Sequence, residues 1–326
     1  MKHNRSQRVT ISIVSISSPS ASFKKRLERS LAQIEKLGFK YALAKHALEE
    51  DGYRVAHPQV VANDIQEAFY NPNIDKILIS TGGMVGNNFL GYLNYEDIKN
   101  SNKPICGFSD ATPLLLAIYA KTGNTTYHGP TLLPSFGDYE GINADTLSSF
   151  LKVFIQQQGH HYSIPDFPYM VASSQIWDLE DNRPQDIKKT NTRLIVRPGQ
   201  CKGTLIGGNL NGIISLIGTE YLPRFKDTIL FIEESGQSLA HFERSMYHLK
   251  HAGILTTISG LIVGKFTNSF MQKTKNSEII RVLMETVNNE IPIIMDIACG
   301  HTKPMLTFPI GVDAEICQDG EIILHL

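Results

Sequence analysis

The chain is expected to be an α/β protein whose first half is a parallel sheet with helices on both faces. Short β-branched and apolar runs alternate with stretches of helical periodicity through roughly the first 130 residues, a repeating β-α pattern. Several of those runs end in small residues, Gly82-Gly83 and Gly107 among them, as strands do where they turn sharply into a helix or loop. At 326 residues, 42% hydrophobic and 19% charged, the chain can bury a substantial core as two ordinary domains or one large one.

Taken in order, Val9 to Ser15 alternates as a first strand, and Ser17-Ser18-Pro19-Ser20 is a turn. Ser22 is a candidate cap for a helix from about Phe23, where Leu27, Leu31, Ile34 and Leu37 recur at helical spacing until Gly38. Tyr41 to Ala44 reads as a strand, His57 to Tyr70 as a helix, and Lys76 to Ser80 as a buried strand running into Thr81-Gly82-Gly83-Met84. Pro104 to Phe108 is the next strand, Ala111 to Lys121 its helix, and Thr125 to His128 a short strand. Periodicity fades near Gly159; Tyr162 to Pro198 is proline-rich, holds the only tryptophan, Trp177, and reads as a connection. Order resumes with a strand at Lys202 to Ile206, a turn at Gly207-Gly208-Asn209-Leu210 and a helix to about Ile217. Strands at Thr228 to Ile232, Leu261 to Val263 and Ile291 to Met295 alternate with helices at Leu239 to Ala252 and Glu278 to Val287. A hairpin about Asp319-Gly320 closes the chain.

A net charge of −1 without a sustained basic block argues against nucleic acid as the main partner. No stretch reaches the ~20 apolar residues of a membrane span, and the N-terminal apolar run is too short for a signal peptide. Four scattered cysteines without CxxC spacing fit reduced thiols, so a cytoplasmic setting is expected. There is no HExxH or comparable ligand cluster, and Gly82-Gly83 with Gly86 is not a dinucleotide fingerprint.

The chemistry concentrates at strand ends. Gly107-Phe108-Ser109-Asp110-Ala111 is one small residue from the nucleophile elbow, Gly-x-Ser-x-Gly, in which a serine hydroxyl stands exposed on a tight strand-to-helix turn. The alternative is that Ser109 merely caps the following helix, with Asp110 complementing its dipole. A serine attacks at neutral pH only if a base takes its proton, and a histidine oriented by a carboxylate is suited to that. Glu233 ends one strand and His301 follows another in a glycine-rich loop, but eleven histidines and the neighbouring Glu234 leave the choice open. Gly82-Gly83 would let backbone N–H groups approach a substrate oxygen, or serve a structural turn. A cysteine-based amidotransferase would need a thiol at the elbow; Cys106 lies three residues early, within the strand.

Seven segments, in order, resemble one family: Ser80-Thr81-Gly82-Gly83-Met84, Gly107-Phe108-Ser109-Asp110, His128-Gly129-Pro130 with Pro134-Ser135-Phe136-Gly137, Gly207-Gly208-Asn209-Leu210, Phe231-Ile232-Glu233-Glu234-Ser235, Glu243-Arg244-Ser245, and Gly300-His301-Thr302 with Pro309-Ile310-Gly311. Together they are similar to the LD-carboxypeptidase family of serine peptidases, and more closely to its microcin C immunity branch. The resemblance implies Ser109 as nucleophile, Glu233 as the acid, His301 as general base, and the N–H groups of Gly83 and Asp110 as oxyanion hole. It also implies substrate contacts at Gly82, Asn209 and Trp177, the last stacking on a nucleobase, and a hydrolase working without metal or cofactor, frequently as a dimer. The implied fold is an N-terminal α/β domain (1–160), a connection (161–198) and a smaller C-terminal α/β domain (199–326), with the site at their interface. One branch trims a D-amino acid from muropeptides; the other cleaves amino acids from nucleotides. Gly82-Gly83-Met84-Val85, where the carboxypeptidase branch tends to Gly-Gly-Tyr-Gly, favours the second. A non-catalytic binding homologue is the other class to be distinguished.

Overall fold

The computed structural model describes residues 8–157, 161–171, 175–266, 276–288 and 290–326; Gly159, near which the periodicity fades, lies outside these. In the first half, β1 (Thr10–Val14), α1 (Lys24–Lys36), β2 (Lys40–Leu43), α2 (Pro58–Tyr70), β3 (Lys76–Ile79), α3 (Tyr95–Ser101), β4 (Ile105–Gly107), α4 (Thr112–Thr122) and β5 (Thr126–His128) follow the expected alternation. α3, unexpected from the sequence, is a seven-residue helix capped by Asn94, whose side chain accepts from the N–H groups of Glu96 and Asp97. α5 (Ala144–Ser149) leads toward the connection.

The connection is more ordered than its composition suggests. It contributes β6 (Tyr162–Ser163), β7 (Tyr169–Val171), β8 (Ile187–Lys189) and β9 (Leu194–Arg197). These strands run two to four residues, too short for a period-2 signal. β10 (Cys201–Asn209) then runs straight through the glycine pair that the sequence suggested was a turn, and α6 (Leu210–Ile214) stops short of Ile217. β11 (Thr228–Glu233), α7 (Leu239–His251), β12 (Gly260–Gly264), α8 (Asn276–Thr286) and β13 (Ile293–Ile297) complete the second β-α series. β14 (Phe308–Ile310), β15 (Asp313–Ile316) and β16 (Ile322–Leu324) close the chain.

Among the described residues these strands form two large sheets and a separate antiparallel pair, β7-β8. The first has the order β14-β5-β4-β3-β1-β2, parallel from β5 to β2, with β14 antiparallel to β5 at the edge. The second, β6-β16-β15-β10-β11-β12-β13-β9, is parallel over β10 to β13 and antiparallel at both flanks. Parallel strands put their carboxyl ends on one side, and in the first sheet the chain reverses direction of winding at β1, where the loops after β1 and β3 diverge. The sheets meet where α4 packs on β10 and α6. Thr112, at the start of α4, accepts the Asn209 N–H at 2.9 Å. A Cβ on Gly208 or Gly212 would fall 2.6 or 2.8 Å from Thr112, so both positions need glycine for this close approach.

Candidate active site

β4 delivers the backbone to Ser109, which adopts φ 60°, left-handed and sparsely populated for a residue with a side chain. That turn projects the hydroxyl away from the helix instead of capping it. α4 has no side-chain cap, and Oγ of Ser109 lies 3.1 Å from Nε2 of His301. Nor is Asp110 simply a solvated dipole partner: its carboxylate accepts from Ser17 Oγ at 2.6 Å and from the Gly86 N–H at 2.8 Å. Burial pushes the Asp110 carboxyl up, and these donors only partly offset that.

From the second sheet come the other two groups. Glu233 ends β11 and His301 lies four residues past β13, separated in the sheet by β12. Nδ1 of His301 is 2.8 Å from Oε2 of Glu233, which also receives the His301 N–H at 3.3 Å. The other oxygen, Oε1, accepts from the Asn209 amide at 3.1 Å. Asn209 faces Glu233 at the matching position on β10 and is not among the residues lining the cavity; its own Oδ1 caps α6 through the Gly212 N–H at 3.2 Å. Glu233 is 1% exposed, and although burial opposes its charge, the His301 imidazole and the Asn209 amide hold its carboxyl below the ordinary value. His301 goes the other way: burial alone would lower it, and the Glu233 carboxylate outweighs that and raises it.

The other candidates of the sequence differ from these groups in partners and charge. Glu234 is equally buried, its Oε1 takes the Ser235 N–H at 2.8 Å, and burial drives its carboxyl up to about 7. His128, the other histidine near Glu233, is fully buried edge-on to the Phe108 and Phe231 rings, and desolvation lowers it to about 4, so it stays neutral. Cys106 is inside β4 with no exposure, its thiol pushed well above the usual range by burial.

After β3 the Gly82-Gly83 pair packs against the elbow. A Cβ on Gly82 would stand 3.1 Å from Ser109 Oγ and 3.5 Å from the Asp110 nitrogen. A Cβ on Gly83 would collide with Ser17 Oγ at 2.1 Å. Ser17, in the loop after β1, is the organiser here: its hydroxyl accepts the N–H groups of Met84 at 3.0 Å and Val85 at 3.1 Å while donating to Asp110. The sequence marked Ser17 only as part of a turn. Nothing local distinguishes it from its neighbouring serines.

These groups open onto a cavity of about 460 Å³, lined by Gly82, Gly83, Ser109 and His301 at one end and by Trp177, Phe23 and Gln185 elsewhere. Trp177 therefore faces the site, its ring edge-on to Phe23 at 5.0 Å and 4.5 Å from the Arg26 guanidinium carbon. Its neighbour Asp178 accepts the N–H groups of Lys25 and Arg26, both at 2.9 Å, so the start of α1 is capped from the connection and not by Ser22. Among the described residues one group, Cys317, Asp319 and Glu321 on the closing hairpin, brings three possible ligand atoms within 4.8 Å; none of them lines this cavity.

Family models of the LD-carboxypeptidase N-terminal and C-terminal domains match residues 11–129 and 202–316, one for each β-α series. The chain belongs to the LD-carboxypeptidase family of serine peptidases. It is 33% identical to the microcin C7 self-immunity protein MccF of Escherichia coli, over 96% of this chain and 92% of that one. It is also 34% identical to the putative carboxypeptidase YocD of Bacillus subtilis (85% and 83% covered), and 26% identical to a probable murein peptide carboxypeptidase of the same organism (94% and 88%). The structure of MccF in complex with glutamyl sulfamoyl guanosine superimposes with a TM-score of 0.89 at 33% identity, covering 98% of this chain and 96% of that one. A tryptophan-to-phenylalanine mutant of MccF, solved with adenosine monophosphate, gives 0.91 at 34% identity over the same shares. The two-domain α/β fold is thus that of this family, and the chain is a serine-peptidase-type hydrolase. No helix among the described residues is long and apolar enough to cross a membrane.

Proposed function

We propose that this hydrolase cleaves the bond between an acyl group and the nitrogen of a nucleotide conjugate, using Ser109, His301 and Glu233. The observation that carries the reading is the unbroken line Ser109 Oγ, His301 Nε2, His301 Nδ1, Glu233 Oε2, with steps of 3.1 and 2.8 Å, opening into the cavity that Trp177 also lines. His301 takes the Ser109 proton as Oγ attacks the acyl carbon, and the resulting oxyanion is received by the N–H groups of Gly83 and Asp110. His301 then passes its proton to the leaving nitrogen, the C–N bond breaks, and the acyl group stays esterified to Ser109. A water molecule, deprotonated by the same imidazole, attacks the ester and frees the acid. Glu233 keeps Nδ1 protonated and stabilises the imidazolium throughout.

Two kinds of support favour the nucleotide conjugate. MccF has been solved with glutamyl sulfamoyl guanosine and with aspartyl sulfamoyl adenosine, and Trp177 offers a flat surface in the cavity on which a base can stack. A carboxypeptidase must also hold the free carboxylate of its substrate. Among the described residues lining the cavity the cationic candidates are His301 and Lys303, and the Lys303 ammonium already donates to Asp138 at 2.5 Å and Gln185 at 3.0 Å. The murein peptide carboxypeptidase among the relatives keeps the muropeptide reading as the second one.

The test is a side-by-side assay of an aminoacyl-sulfamoyl adenosine and a muropeptide tetrapeptide. Turnover of the first at least about tenfold faster is expected; the reverse order would reassign the substrate. Ser109→Ala should abolish turnover of either while the circular dichroism spectrum is kept, and full activity in that variant would remove Ser109 as nucleophile.

A further inference from the structure

We propose that Arg26 is the positioning residue for the leaving-group end of the cavity: it holds the Trp177 ring as a fixed platform for the flat ring of the conjugate. This deepens, and rests on, the nucleotide-conjugate reading.

Arg26 is 1% exposed, on the third residue of α1, which is an unusual place for a guanidinium. Four of its donor hydrogen bonds form a single fork. Nε donates to the Leu133 carbonyl at 2.8 Å, Nη1 to Asp181 at 2.8 Å, and Nη2 to Asp138 at 2.5 Å and the Pro134 carbonyl at 3.2 Å. Because the guanidinium is planar, four in-plane acceptors fix its plane and leave its faces for stacking, and it lies 4.5 Å from the centre of the Trp177 ring. Lysine could replace the charge but neither the fork nor the flat face.

Ile176 and Leu179, either side of Trp177 and Asp178, are 58% and 75% exposed, so these two side chains do not set the ring's position. What does is a charged frame: Asp178 on the first turn of α1, Asp181 on both Arg26 and Arg29, and Phe23 edge-on to the ring. The same frame reaches the catalytic end, because the second oxygen of Asp138 binds Lys303, two residues past His301. A stacking surface that moved freely would charge its ordering entropy to every binding event; one fixed beforehand does not.

Trp177 is the only tryptophan in the chain, so its fluorescence reads this platform alone. Arg26→Lys removes the fork, and Asp181→Asn loosens it while leaving the guanidinium in place. In ligand-free protein both variants should show lower tryptophan anisotropy and stronger acrylamide quenching than the parent. Both should lose at least about tenfold more kcat/KM on aminoacyl-sulfamoyl adenosine than on a ring-free aminoacyl amide, chiefly through KM, the scale of one lost base–aromatic stack. Unchanged anisotropy and quenching in both variants, or equal losses on the two substrates, would overturn the role of Arg26. The nucleotide reading is judged separately, on the parent protein: adenosine monophosphate should quench Trp177, and failure to do so would count against that reading while the ligand-free comparison still decides on Arg26.

Discussion

At the residue scale the two adjacent glutamates make the sharpest contrast. Glu233, the last residue of β11, is hydrogen-bonded to Nδ1 of His301, whereas Glu234 takes the N–H of its own neighbour Ser235. Glu233→Gln should therefore cost at least about a thousandfold in kcat/KM, whereas Glu234→Gln should cost less than about tenfold. The opposite ranking in steady-state assays would show that the wrong carboxylate has been chosen. The pH profile belongs to the same pair. The carboxylate raises His301 above 6.5, so the neutral imidazole, the proposed base, is lost at a higher pH than for an ordinary histidine. The acid limb of kcat/KM should lie above pH 6.5, and Glu233→Gln should shift what activity survives toward lower pH. The effect on stability has the opposite sense. The His301–Glu233 attraction contributes fully below the unfolded-state value and fades as pH rises through the raised folded value. Activity thus grows over the range in which this contribution to stability is lost.

At the scale of single elements, the site depends on loops that leave no room for a methyl group. Gly300 has φ 78°, and a Cβ there would lie 2.1 Å from Oε2 of Glu233. Gly300→Ala should displace the carboxylate and lower kcat by about a hundredfold or more, the usual consequence of an ångström-scale misplacement. Ser17→Ala acts on the other wall: it removes two acceptor bonds to the Met84 and Val85 N–H groups and one donor bond to Asp110. Since that loop carries the Gly83 N–H, kcat should fall by roughly ten- to a hundredfold with KM little changed. A KM effect of equal size would mean that the loop binds the ground state and not the oxyanion.

On the scale of the molecule, the two sheets are tied together by more than the catalytic line. β14, next in the chain after β13 but part of the first sheet, covers the β5 edge by pairing Phe308 with His128 and Ile310 with Thr126. α4 docks on β10 and α6 through Thr112, Gly208 and Gly212. Calorimetry of the full chain should accordingly show one unfolding transition, and two resolved transitions would show that the sheets melt independently.

Much of this was readable before any coordinates. Strand and helix alternation is local, because a side-chain period depends only on neighbours along the chain, and the strand-end motifs at Gly82-Gly83, Ser109, Glu233 and His301 are local too. The short strands of the connection and β14 were not, since they stand outside the β-α alternation that marks the equally short β4 and β5 and acquire their state from the partner they pair with. Nor could residue order show that β10 continues through Gly207-Gly208, because the groups that fill the space those glycines leave, Phe231 beside Gly207 and Thr112 beside Gly208, come from elsewhere in the chain. The left-handed turn at Ser109, the selection of Glu233 and His301 from many candidates, and the burial of Arg26 beneath Trp177 all depend on groups far apart in the chain. His301 lies 192 positions from Ser109, and Asp181 lies 155 from Arg26. Local sequence sets the propensities of each element; which distant side chains then satisfy one another's charges and hydrogen bonds is settled only when the elements pack.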